Sequence, residues 1–250
     1  MTTPRVHIAA VTHRGSVRPE NQDAILIGGW ISQDSMVAPH TWTLSLEQPQ
    51  LCLVVDGMGG HAGGAQASRV VAEYFRDHIG ELAPDADALA QHLHAINAEL
   101  YRRMVDDPAL MAMGATVAGL VLGLEQIAVF NIGDSRVYRQ QGPYLEQLST
   151  DDSPKKVYGD HETTRVSHVV TQALGGMDRF TAILPHIQLH ALTTGREYLI
   201  CTDGLTDVLS LDELEASIGE DVAAVVQSLL NQALERGASD NISFILVKVV

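Results

Sequence analysis

Basic residues, cysteine and aromatic side chains are all scarce in this sequence. Lys and Arg number 16 against 31 Asp and Glu, a net charge of −15, and the bases form no cluster. A nucleic-acid binder carries a basic face, so that class of partner is excluded. The two cysteines, Cys52 and Cys201, both lie inside apolar runs with strand character, which points to buried reduced thiols and away from a disulfide or a cysteine nucleophile. No Cys/His spacing typical of a zinc site is present. No apolar run is long enough to span a bilayer, and the first residues, MTTPRVHIAAVTHRG, lack the apolar core of a secretion signal. A cytoplasmic, monomeric enzyme without a membrane partner is the expectation. No repeat or low-complexity linker interrupts the chain, and 46% hydrophobic residues can fill a full core, so residues 1–250 read as one domain.

The chain is organised around residues 51–68, LCLVVDGMGGHAGGAQAS. Residues 51–55 form a short, continuous apolar run of the kind expected for a strand buried on both faces. Asp56 places a carboxylate at its end. Glycines follow at 57, 59, 60, 63 and 64, allowing close approach of a ligand to the backbone, and a helix is expected from residue 65. An acid at a strand end followed by bare backbone suits a hard cation, or a phosphate held through one. The stretch from Gly57 to Ala62 also fits a dinucleotide fingerprint. Asp56 would then set a negative charge against the pyrophosphate, and no ribose-binding acid stands in the expected strand–helix–strand unit.

Taken in order, residues 5–11 read as a strand and 12–21 as a polar loop carrying Arg14 and Arg18. Asp23 opens a second strand, AILIGGW, and TWTLSL within 31–49 reads as another; the remainder of 31–49 has no clear role. Helical spacing runs over 65–79 and 86–105, the latter stopped by Pro108. Residues 115–123 and 126–132, two apolar runs separated by a short turn, read as a hairpin, and 137–139 and 144–148 are further strands. The polar stretch 149–164 reads as a loop, 166–174 as a short helix, 187–190 and 197–202 as strands, 211–218 and 221–236 as helices, and 242–250 as the last strand. Locally pairing strands with helices grouped in twos predict an α+β fold: a β-sandwich of two mainly antiparallel sheets flanked by helix pairs.

Acids recur at the margins of these strands. Asp56, Asp134 and Asp203 follow apolar runs, and Asp23 and Asp240 precede them. Each alone is an ordinary turn former or cap. Antiparallel strands bring starts and ends to one edge, where converging carboxylates repel unless cations neutralise them. Oxygen ligands with water suit Mg²⁺ or Mn²⁺.

RPENQD at 18–23, VDGMGGH at 55–61, GAT at 114–116, NIGDSR at 131–136, CTDGLTD at 201–207 and SDN at 239–241 stand in the order and at the spacing of a known family. The chain closely resembles the metal-dependent protein phosphatases, the type 2C serine/threonine phosphatases in their bacterial form, from about residue 5 to 250. The resemblance implies a two-metal site at one edge of the sandwich. By position, Asp56 bridges both ions, Gly57 supplies a backbone oxygen to one, and Asp203 and Asp240 bind the other. Asp23 acts through metal-held water, Arg18 holds the substrate phosphate, and a third ion falls at Asp134 with Asp203. The implied reaction is hydrolysis of phosphomonoesters on phosphoserine and phosphothreonine proteins by direct attack of metal-bound hydroxide, opposing a serine/threonine kinase. Its alternatives are a non-catalytic regulatory relative and a phosphatase of small phosphate esters.

Two departures from the family stand out. The flap at 149–168 is short, and Asp152 stands where bacterial members usually show a histidine. Animal relatives place a general-acid histidine directly after the Asp-Gly pair; Met58 occupies that place here, leaving His61 as the nearest titratable side chain for the role.

Overall fold

The computed structural model describes residues 3–59, 63–154 and 169–250. Its central strand, β5 (Gln50–Met58), shows why the 51–55 run is uninterrupted. Leu51, Leu53 and Val55 pack with helical residues in one core, whereas Cys52 and Val54 belong to the other. Side chains alternate across a strand, so burial on both faces demands apolar residues at every position.

β5 lies in a sheet ordered β11 (His186–Ala191), β7 (Gln126–Ile132), β6 (Gly114–Leu122), β5, β2 (Asp23–Ile27) and β3 (Trp30–Ser32), with the short β10 (Leu174–Gly175) beside the start of β6. The second sheet runs β4 (His40–Ser45), β1 (Arg5–His13), β13 (Ile242–Val249), β12 (Glu197–Cys201), β8 (Arg136–Gln141) and β9 (Tyr144–Gln147). Every pairing among the described residues is antiparallel.

Helices cover both outer faces. α1 (Gly63–Asp77) and α2 (Ala86–Asp106) bury Val71, Phe75, Leu93 and Leu100 against the β5 sheet. Asp85 caps α2 by accepting from the Ala88 amide at 2.8 Å, and the helix ends ahead of Pro108. Phe75 is fully buried, its ring 6.0 Å from that of Phe130; truncating it to Ala would cost about 3–5 kcal/mol. On the other side, α4 (Leu211–Ser217) and α5 (Val222–Glu235) set Leu214 and Leu229 against Leu199 of β12 and Leu246 of β13. Ser210 with Glu213 forms a capping box on α4, and Asp221 caps α5. The expected sandwich with flanking helix pairs is therefore present. No helix among the described residues is long and apolar enough to cross a membrane.

Three details depart from expectation. The AILIGGW segment is two strands, because Gly28 adopts φ +56° and turns the chain between β2 and β3. Of the short helix expected over 166–174, residues 166–168 lie outside the described residues. The rest contains no helix and ends in β10, where Leu174 and Gly175 pair with Ala115 and Gly114. A four-residue helix, α3 (Asp203–Thr206), was not expected; it is too short to show a period. The 31–49 stretch supplies the edge strand β4, and the ring of Trp42 on it packs against that of Trp30 of β3, centroids 5.0 Å apart and planes tilted by 53°, fastening the rims of the two sheets together.

Candidate metal and phosphate site

Strand register assembles the site. Asp23 of β2 lies opposite Asp56 of β5, and Asp56 lies opposite Thr116 of β6. By alternation all three point to the side of Ile25, Val54 and Ala118, the interior between the sheets. The other sheet meets them there. Thr202, just past β12, donates its hydroxyl to Asp23 Oδ2 at 3.0 Å, and Ser243 of β13 accepts from the Thr202 amide at 2.9 Å. Ser243 in turn shares a 2.7 Å hydrogen bond with Thr12 of β1.

Asp203 opens α3, and Asp240 lies just ahead of β13. A Cβ on Gly204 would collide with the Asn241 carbonyl. Glycine at that position therefore lets the 203–204 and 240–241 backbones touch and brings the two acids to the same wall. Asn241 also fastens the loop that carries Arg18. Its Oδ1 accepts from the Gln22 amide at 2.8 Å, and its Nδ2 donates to the Arg14 and Glu20 carbonyls, each at 2.9 Å.

The result is an open cleft of about 850 Å³ whose lining includes Arg18, Asp56, Gly57, Thr116, Asp134, Asp203 and Asp240. Asp23 lies beneath it, 1% exposed. The structure thus brings the candidates Arg18, Asp56, Gly57, Asp134, Asp203 and Asp240 to one cleft, with Asp23 buried beneath it. His61, expected as general acid, lies outside the described residues. Thr202 and Ser243 were missed; their signal is contact across the sandwich, which no local spacing displays. Asp207 also lines the cleft and carried no assigned role.

Electrostatics mark the site as unbalanced by protein alone. Burial pushes the Asp23 carboxyl from 3.8 up to about 7, and the charges of Asp203 and Asp240 push the same way, against hydrogen bonds from Ser243 and Thr202. Burial and then Asp23, Asp203, Asp240 and Asp134 hold the Asp56 carboxyl well above the usual range. Asp134 is raised to about 7, by burial first and the Asp203 charge second. Among the described residues that line the cleft, Arg18 carries the cationic side chain, and it donates to Asp240 Oδ2 at 2.7 Å while remaining half exposed.

This donor set fits divalent cations. Asp23 Oδ1 is buried without a hydrogen-bond partner, a costly state unless something further satisfies it. Among the described residues no three acidic, histidine or cysteine side chains surround one point. Mg²⁺ and Mn²⁺ do not require that: such ions take one or two carboxylates each and keep several waters. The thiols are unsuited to the task, because burial pushes Cys52 and Cys201 up to about 12.

The family profile described as Protein phosphatase 2C matches residues 23–246. The serine/threonine protein phosphatase PstP of Mycobacterium tuberculosis is 29% identical over 97% of this chain and 45% of its own length. The serine/threonine phosphatase stp of Listeria monocytogenes is 24% identical over 97% of this chain and 96% of its own. Among solved structures, the catalytic domain of PstP in complex with two manganese ions superposes with a TM-score of 0.79 at 27% identity, covering 99% of this chain and 100% of that one. The chain spans less than half the length of the mycobacterial relative.

Proposed function

Because this chain belongs to the protein phosphatase 2C family, we propose that it hydrolyses phosphoserine and phosphothreonine monoesters on proteins with two divalent cations, Mn²⁺ or Mg²⁺, and a third at Asp134. The observation that carries the reading is the placement of Asp56, Asp134, Asp203 and Asp240 on one cleft with Arg18, above the buried Asp23. Bound divalent cations supply a water-derived nucleophile at neutral pH and neutralise phosphoryl oxygens. Asp56, with the Gly57 carbonyl, Asp203 and Asp240, would hold the pair, and Asp134 with Asp203 the third. Asp23, through its unpartnered oxygen, would orient a coordinated water from behind Asp56.

Arg18 binds the substrate phosphate. Its guanidinium, now on Asp240, offers a planar fork that phosphate accepts in both ground and transition states. With Asp240 engaged as a ligand, the Arg18 fork would be free for that use. His61 is assigned the protonation of the serine or threonine leaving oxygen. We read residues 1–250 as one catalytic domain, monomeric and cytoplasmic, where the free thiols Cys52 and Cys201 stay reduced, opposing a serine/threonine kinase.

A panel of phosphoserine and phosphothreonine peptides and small phosphate esters, assayed with Mn²⁺, Mg²⁺ and chelator, tests this. Peptide hydrolysis restored by either cation is expected. Turnover persisting in protein verified metal-free by elemental analysis overturns the mechanism, and hydrolysis confined to small esters overturns the substrate class.

A further inference from the structure

Asp134 sits in the turn after β7, and the preceding Gly133 sets its direction. Gly133 adopts φ +96°, packed so tightly on Thr116 that a Cβ would overlap that side chain. Glycine enters that region freely, so the turn takes a single orientation only through the partners that hold it. Both of its polar groups are taken by one residue: Asp152 Oδ2 accepts from the Gly133 amide at 2.9 Å, and the Asp152 amide donates to the Gly133 carbonyl at 2.9 Å. Asn131 adds a weaker tie to the same carbonyl at 3.2 Å.

Asp152 is itself fixed from two further elements. Oδ2 also accepts from Gln172 Nε2, and Oδ1 pairs with His186 Nε2, both at 2.8 Å. Gln172 is anchored in turn by the Leu184 amide and carbonyl at 2.5 and 3.1 Å, and the Thr171 amide donates to the Asp152 carbonyl at 2.7 Å. The carboxylate is 13% exposed and does not line the cleft. Such an expenditure of hydrogen bonds on a residue outside the site is that of an outer-sphere support, which orients a ligand without touching the ion.

We propose that Asp152, held by Gln172 and His186, is the positioning residue for Asp134: it locks the Gly133 turn and so fixes the carboxylate that binds the third cation. This rests on the reading of Asp134 as a metal ligand given above. The role is geometric. In Asp152→Asn the amide oxygen can take the Oδ2 place and keep the Gly133 and Gln172 bonds, while the amide nitrogen faces His186 Nε2 as donor to the neutral ring. Asp152→Ala leaves the Gly133 amide without that acceptor.

The test is titration of the full chain with Mn²⁺ alone, counting bound ions by electron paramagnetic resonance and calorimetry, with the Asp134→Ala protein identifying which site depends on that carboxylate. Asp152→Ala is expected to weaken the Asp134-dependent site by roughly 10- to 100-fold, the usual scale for outer-sphere partners. The remaining sites should stay unchanged, and Asp152→Asn should keep the parent's affinity. Should Asp152→Ala fail to fold, the His186→Ala/Gln172→Ala protein, which withdraws the supports and retains Asp152, is expected to weaken the same site selectively. Unchanged affinity at that site in the readable variant, or equal weakening at all sites, overturns the proposal alone. An equal loss in Asp152→Asn also overturns it, since charge and not placement would then be the cause. An Asp134→Ala protein that binds as many ions as the parent overturns both the proposal and the reading of Asp134.

Discussion

Replacing Asp23 by asparagine should stabilise the metal-free protein, and by an amount that depends on pH. The Asp23 carboxyl is raised from 3.8 to about 7 in the fold. An acid raised in the folded state keeps its proton there while the unfolded chain has lost it, so stability falls as pH climbs from about 4 through 7 and the penalty is complete above that. A rise of about three pKa units corresponds to an order-of-magnitude penalty of 4 kcal/mol at pH 8. Asparagine removes that charge and can still accept from the Thr202 hydroxyl. It sets an amide nitrogen where Oδ1 now lacks a partner, costing about 1–3 kcal/mol. The charge term is the larger, so the variant gains roughly 1–3 kcal/mol at pH 8, a few degrees in Tm for a chain of this size. The gain should vanish near pH 5, where the parent's carboxyl is protonated. Thermal unfolding of EDTA-treated parent and variant between pH 5 and 8.5 measures it. Saturating Mn²⁺ should reverse the order at pH 8, because the parent binds the ion better in its folded state. A variant less stable than the parent at pH 8 in EDTA, or a difference independent of pH, refutes the account.

Three further outcomes are expected. Asp56→Asn and Asp203→Asn should each lower kcat by several orders of magnitude with Mn²⁺ saturating, and a loss under about tenfold for either would mean its role is misassigned. Arg18→Ala should mainly raise KM for a phosphopeptide and lower kcat less, because the fork binds phosphate before and during transfer; unchanged kinetics would make Arg18 an ordinary loop residue beside Asp240. His61→Ala should slow a phosphoserine peptide by roughly 10²-fold or more while sparing p-nitrophenyl phosphate, whose leaving group needs no proton; equal losses on both would point to a structural role.

What could be read from the sequence was whatever local pattern encodes. Leu51 to Val55 declare a strand buried on both faces, α1, α2 and α5 show helical spacing, and Gln126–Ile132 is delimited as found. Asp56 could be singled out because glycines at 57, 59, 60, 63 and 64 follow it, setting bare backbone beside an acid at a strand end. Contacts that span the chain were illegible. Thr202 reaches Asp23 across 179 positions, and Asn241 ties down Gln22 across 219. Asp152 meets partners at 133, 172 and 186. Gly28 hides a hairpin because apolar residues stand on both sides of it, so hydrophobicity alone continues the strand through the turn.

The order of motifs along the chain follows from the sandwich. Asp23 begins β2, Asp56 lies near the end of β5, Asp134 precedes β8, Asp203 follows β12 and Asp240 precedes β13. Strand starts and strand ends alternate in this list because neighbouring strands are antiparallel, and alternation is what brings both kinds of terminus to one rim. An acid could be placed at any such terminus without disturbing the apolar interior of its strand. The cost falls on electrostatics instead. Asp23, Asp56 and Asp134 are all held above the ordinary carboxylate range, a penalty that a fold selected for stability alone would shed by neutral substitution. The same burial that raises those carboxyls lowers the local dielectric and would strengthen their attraction for a divalent ion, as the proposed function requires. The instability of the site without cations and its affinity for them therefore have one structural cause, and the pH dependence of the Asp23→Asn difference measures that cause directly.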